Sequence, residues 1–79
     1  MRPLDGACPL SLTAAGNMRR LRSQRGLGQL TVALDAGISQ AALCLIETGQ
    51  RNLTLPVLAE IARALGTEPH ELLRPGDRA

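Results

Sequence analysis

Between residues 13 and 52 the chain sets Arg19, Arg20, Arg22, Arg25 and Arg51 against only Asp35 and Glu47, five bases to two acids, a local balance of about +3. Residues 53–79 hold three arginines against four acids. The whole chain carries +2 and contains no lysine, so its total charge is ordinary and its distribution is not. Positive charge gathered in one half suits a protein that meets a polyanion on one side. A solvated helix face would look the same by charge alone.

Other chemistries lack their residues. Cys8 and Cys44 form no CxxC pair, are too few for a disulfide framework, and make no metal-ligand pattern with the single His70. There is no nucleophile–base set and no phosphate-cradling glycine loop, so no enzyme, cofactor or metal ion is expected. Cys44 invites a redox-switch reading; a small semi-buried thiol is the simpler one. His70 reads as a polar residue of the last helix. No stretch approaches the ~20 apolar residues of a membrane span. The N-terminus, interrupted by Pro3 and Pro9, lacks the apolar run of a signal peptide. A reducing cytoplasm, in association with the nucleoid, is the expected setting.

Seventy-nine residues make one domain. Phe, Tyr and Trp are absent, so the core must be aliphatic, and the frequent Ala and Leu favour helices packed closely together. Residues 1–12, with Pro3, Gly6 and Pro9 and no hydrophobic period, read as a flexible arm. Thr13 or Ser11 caps a first helix running to about Arg25, with Met18 and Leu21 inward, and Gly26 stops it. A second helix runs from Gln29 to Ala36 and closes at Gly37. Ser39 caps a third, reaching Thr48 and closing at Gly49. Thr54 caps a fourth, with Pro56 in its first turn, where a missing N–H costs little. Leu55, Leu58, Ile61, Ala62 and Leu65 recur there at helical spacing, and Gly66 ends it. Residues 68–73 give a short fifth helix, and 74–79 a polar tail. The predicted fold is all-α: a compact five-helix domain over residues 13–73.

The informative segment is residues 29–48, two short helices around a tight turn. Ala33 lies four residues before Gly37 and must be small where the helices cross. Gly37 supplies the positive φ of the turn. Val32, Ala36, Ile38, Leu43 and Ile46 form the inward face. Together these features read as a DNA-binding helix-turn-helix; a helical hairpin in a structural bundle is the alternative.

Five stretches carry a family resemblance: Met18-Arg19-Arg20-Leu21-Arg22, Arg25-Gly26-Leu27-Gly28-Gln29, Ala36-Gly37-Ile38-Ser39-Gln40, Ile46-Glu47-Thr48-Gly49-Gln50-Arg51-Asn52, and the run from Leu58 to Gly66. They resemble the Cro and lambdoid-repressor (XRE) family over about residues 13–73. The resemblance implies a lambda-repressor-like five-helix DNA-binding domain whose third helix enters the major groove of double-stranded DNA. Stand-alone members of this size include restriction-modification controller proteins, small phage repressors and antitoxins.

The resemblance also assigns roles. Gln29 sits where relatives bond a phosphate and brace the next glutamine. Gln40, just after Ser39, looks like the base-reading glutamine, its amide suited to adenine. Ala41 and Ala42 follow with methyls that suit a thymine methyl, and Cys44 lies on the same helix. Arg51 and Asn52 sit where relatives touch the DNA backbone. Arg22 and Glu47 look like the family's internal ion pair. For both glutamines, and for Arg51, the alternative reading is a solvated surface residue.

Three positions depart from the family pattern. Gly28 replaces a usual Ser before Gln29, a lost cap worth only ~0.3 kcal/mol against Gly. Leu53 stands where Pro is common. Leu45 stands where a polar or basic reader is common, and it either contacts thymine methyls or faces a protein partner. With Leu30 and Leu34 also expected outward, the surface is more apolar than DNA binding alone requires. The leading expectation is a homodimeric transcription regulator on a palindromic operator, closed through Leu72 or Leu73 of the fifth helix. The second is an antitoxin or coactivator-like module binding a protein through Leu30, Leu34 and Leu45.

Overall fold

The computed structural model describes residues 8–76, which contain five helices and no strand. These are α1 (Pro9–Gln24), α2 (Gln29–Ala36), α3 (Gln40–Glu47), α4 (Leu55–Leu65) and α5 (Pro69–Leu72). The all-α, five-helix architecture expected from the sequence is the one observed. No single helix among the described residues is long and apolar enough to cross a membrane.

α1 begins earlier than its capping residues suggested. Its first residue is Pro9, preceded by an extended Cys8 that makes no side-chain capping bond. At the first helical position a proline's fixed φ is already helical, and its missing N–H would have had no partner. The proline that seemed to interrupt the segment therefore opens the helix, and residues 9–12 belong to the domain rather than to an arm. Ser11 is not a cap: buried, its hydroxyl accepts the Leu53 N–H at 2.9 Å and ties α1 to the loop before α4. Residues 1–7 of the expected arm and 77–79 of the expected tail lie outside the described residues.

The other boundaries follow local chemistry. Gly37 ends α2 in the left-handed region, at φ 75°, where a Cβ would be strained. Ser39 accepts the Ala42 N–H at 3.0 Å and Thr54 the Val57 N–H at 3.4 Å, each satisfying a donor that a helix start leaves open. Gly28, before α2, provides no such bond.

The core is aliphatic apart from Met18. Ala15 and Met18 of α1 meet Val32, Ala33 and Ala36 of α2, Leu43 and Ile46 of α3, Leu58, Ile61, Ala62 and Leu65 of α4, and Leu72 of α5. Ala33 of α2 and Ala62 of α4 are fully buried, and side chains this small let packed helices approach closely. Leu55 fits the helical period of α4 but lies outside the core, 78% exposed, while Val57 is half-buried against it.

α5 has only four residues, too few to persist alone. Leu72, fully buried, is one anchor. The other is Asn17 of α1, itself buried, whose Nδ2 donates to the carbonyls of Leu72 at 2.7 Å and Arg74 at 2.8 Å. Leu72 is thus a core residue and cannot close a dimer as the sequence suggested. Leu73 is half-buried.

Candidate nucleic-acid interface

Between α2 and α3 the chain turns through 111°, within the ~90–120° of helix-turn-helix pairs. α3 buries Leu43, Ile46 and Glu47 and exposes Gln40, Ala41, Cys44 and Leu45, with Ala42 half-buried. Residues three and four apart share a helix face, so the exposed side chains form one outward stripe running on to Thr48. Ser39, also exposed, begins it. Cys44 is exposed, not semi-buried as the simpler reading had it.

Glu47, the last residue of α3, is where the helix is held. Its side chain is 3% exposed. Its two carboxylate oxygens accept from Arg22 Nε at 3.0 Å and Nη2 at 3.1 Å, a bidentate bond from α1. Arg22 Nη1 also donates to the Leu27 carbonyl at 3.2 Å. Gln29, the first residue of α2, donates its Nε2 to Glu47 Oε1 at 3.1 Å. Arg19 donates to the Glu47 main-chain carbonyl, a cation at the negative end of α3. α1 and α2 therefore converge on one carboxylate of α3 and set the angle of the outward stripe. Gln29 braces Glu47 and not Gln40, and this one bond leaves its Oε1 and second amide hydrogen available.

Both acids of the arginine-rich half are engaged. Glu47 binds Arg22, and Asp35 lies 3.4 Å from Arg63 of α4. The hydrogen bond to Glu60 and the nearby Asp35 hold the Arg63 pKa above its ordinary value. Arg25 and Arg51 are exposed and make no ion pair among the described residues. The positive surface of this half is accordingly not cancelled by its own carboxylates.

Asn52 has a different position from the one the resemblance gave it. Its Oδ1 accepts the Cys8 N–H at 2.7 Å, pinning the start of α1 to the loop after α3, and its amide NH₂ is left for another partner. At the same helix start, the Ser11 backbone N–H and hydroxyl lower the Cys8 thiol pKa. Sequence reasoning missed Asn17 and Arg19 as positioning residues and misplaced Ser11. All three are polar residues within a long helix, and nothing local marks them as bound to partners 28 to 57 residues away.

A crossed pair of short helices, the second outward and polar-capped, on a five-helix scaffold with uncompensated arginines defines a helix-turn-helix DNA-binding domain. The family model for a helix-turn-helix domain matches residues 14–74. An uncharacterised HTH-type transcriptional regulator, y4dJ, of Sinorhizobium fredii is 44% identical over 61 residues, 77% of this chain and 79% of that protein. The chain belongs to the helix-turn-helix family of transcription regulators, of the XRE type. Among solved structures, the restriction-modification controller protein C.AhdI of Aeromonas hydrophila superposes with a TM-score of 0.75 at 35% identity, over 78% of this chain and 94% of that one. The hypothetical transcription factor NHTF of Neisseria superposes with a TM-score of 0.80 at 27% identity, over 95% and 88%.

Proposed function

We propose that this chain is a sequence-specific double-stranded DNA-binding transcription regulator that acts as a homodimer on a palindromic operator. The observation that carries the reading is the outward stripe of α3, held at a set angle through the buried Glu47. In this reading Gln40 reads a base, and Ser39, Ala41, Ala42, Cys44 and Leu45 line the groove around it. Arg51 binds the phosphate backbone, with Gln29 and the free amide of Asn52 at its margins. Phosphate contacts position the protein and base contacts specify the site.

One domain of this size reads a short half-site, and a two-fold pair places two recognition helices about 34–36 Å apart on one DNA face. The surface offered to a second copy is apolar. Leu73, Leu53 and Leu58 line a cavity of about 100 Å³ together with Leu10 and Leu55, which are 54% and 78% exposed. A leucine-rich patch that is self-complementary about a two-fold axis is what an isologous dimer requires.

A second reading rests on Leu30 and Leu34, which are 51% and 71% exposed on α2. They suit a protein partner, as for an antitoxin or coactivator-like module. Operator selection from a random duplex pool, followed by gel shifts at several salt concentrations, separates the two. A DNA-binding regulator yields a palindromic consensus and an affinity that falls steeply with salt. Absence of any enriched duplex favours the protein-interaction module.

A further inference from the structure

The α3 outward face carries few polar groups, and most of them are already engaged within the protein. The Ser39 hydroxyl, at the edge of that face, accepts the Ala42 N–H and keeps its own O–H as a donor. Thr48 Oγ1 donates to the Cys44 carbonyl at 2.7 Å and accepts from Gln50 Nε2 at 2.9 Å. Glu47 is buried under Arg22 and Gln29. What remains outward from Gln40 to Glu47 is a single amide, Gln40, followed by the methyl of Ala41, the thiol of Cys44 and the isobutyl group of Leu45.

Base pairs differ in the major groove by their donors, their acceptors and the C5-methyl of thymine. A face with one amide and three apolar side chains has little to offer the donors and acceptors. It has much to offer a methyl group. Ala41 and Leu45 are four apart and stand one above the other on the helix, so they present a continuous apolar strip beside Gln40.

We infer that α3 discriminates its operator chiefly by the C5-methyl groups of thymines, packed against Ala41 and Leu45, with Gln40 as the one hydrogen-bonding reader beside them. This deepens the DNA-binding reading and rests on it. The half-site is therefore A·T-rich where α3 lies. The code has a chemical consequence: 5-methylcytosine carries its methyl at the same ring position, so cytosine methylation there imitates thymine in part.

The test uses the full chain and its selected operator, with each thymine replaced in turn by deoxyuridine, which removes the methyl and leaves the pairing intact. One or two thymines per half-site should each lose roughly fourfold in affinity, the effect of exposing one buried carbon group. At one of them the loss should vanish in Leu45→Ala, a change at a partly exposed position that leaves the core intact. Replacing that thymine with cytosine should weaken binding, and 5-methylcytosine should recover part of the loss. Salt-dependent binding to the operator with no deoxyuridine effect at any thymine overturns the methyl code and leaves DNA binding standing. A deoxyuridine effect unchanged in both Leu45→Ala and Ala41→Gly overturns the assignment to this face. Absence of operator binding in the unmodified chain overturns the underlying function instead.

Discussion

Arg22 Nε stands 3.0 Å from Glu47 Oε2, and Arg22 Nη2 3.1 Å from Glu47 Oε1, so two helices are joined, through residues 25 apart, by a planar fork on a buried carboxylate. The pair is asymmetric. The Glu47 side chain is 3% exposed and that of Arg22 23%. Removing Arg22 strands a charge that water cannot reach, whereas removing Glu47 leaves a guanidinium that still meets solvent.

Arg22→Leu should therefore destabilise the domain by about 3–5 kcal/mol, as for other half-removed buried pairs. Glu47→Leu should cost less. Urea melts of the two variants give the order directly. Two variants as stable as the parent, or a larger loss at Glu47, would place the charge cost elsewhere.

Gln40→Ala should relax base preference without altering the fold, because Gln40 is exposed and follows the Ser39 cap. One good bidentate contact supplies ~1–3 kcal/mol of discrimination. Titration of operators mutated one base pair at a time locates the affected position. Discrimination retained at every pair removes Gln40 from the readout.

Arg51→Ala should weaken cognate and random duplexes by similar factors, since a phosphate contact carries no sequence information. The salt slope should fall by ~1. Loss confined to the cognate site makes Arg51 a base reader instead.

The dimer surface can be separated from the core because adjacent leucines face different ways. Leu55→Asp should yield monomers with much weaker operator binding and a melt lowered only by the lost dimerisation, and Leu73→Asp should act in the same direction. Leu72→Ala should instead lower stability by about 2–5 kcal/mol through a core cavity. Sedimentation at micromolar concentration decides the matter: a parent chain that is monomeric without DNA, or a Leu55→Asp variant that still pairs, moves the interface.

Asn17→Ala removes the two donors that hold the carbonyls of Leu72 and Arg74. Leaving the buried Leu72 carbonyl unpaired should cost about 1–3 kcal/mol. Amide exchange should rise first in α5, which has little else to hold it. Uniform exchange across the domain would show that Asn17 supports the whole core and not that one segment.

The sequence alone determined what depends on neighbours in the chain. Gly37 closes α2, Ser39 and Thr54 open α3 and α4, and Ala33 with Val32, Ala36, Leu43 and Ile46 forms an inward face, because caps, positive-φ turns and helical periods act over three or four residues. The motif read from those signals carried the family and the direction of α3.

Only the tertiary structure decided the rest, because it depends on how each helix is rotated against partners distant in the chain. Periodicity marks Leu55 as inward, yet α4 leaves it at the rim and presents it to solvent. Leu72 and Leu73 are indistinguishable by type, and the docking of α5 on α1 buries the first and leaves the second half-open. Pro9 looked like a break until a helix began on it. Asn17, Asn52 and Gln29 resemble ordinary solvated amides, and each is bound to a group 18 to 57 residues away. A hydrogen bond of that span leaves no local pattern, since it forms only after the core has set the distance between its two ends.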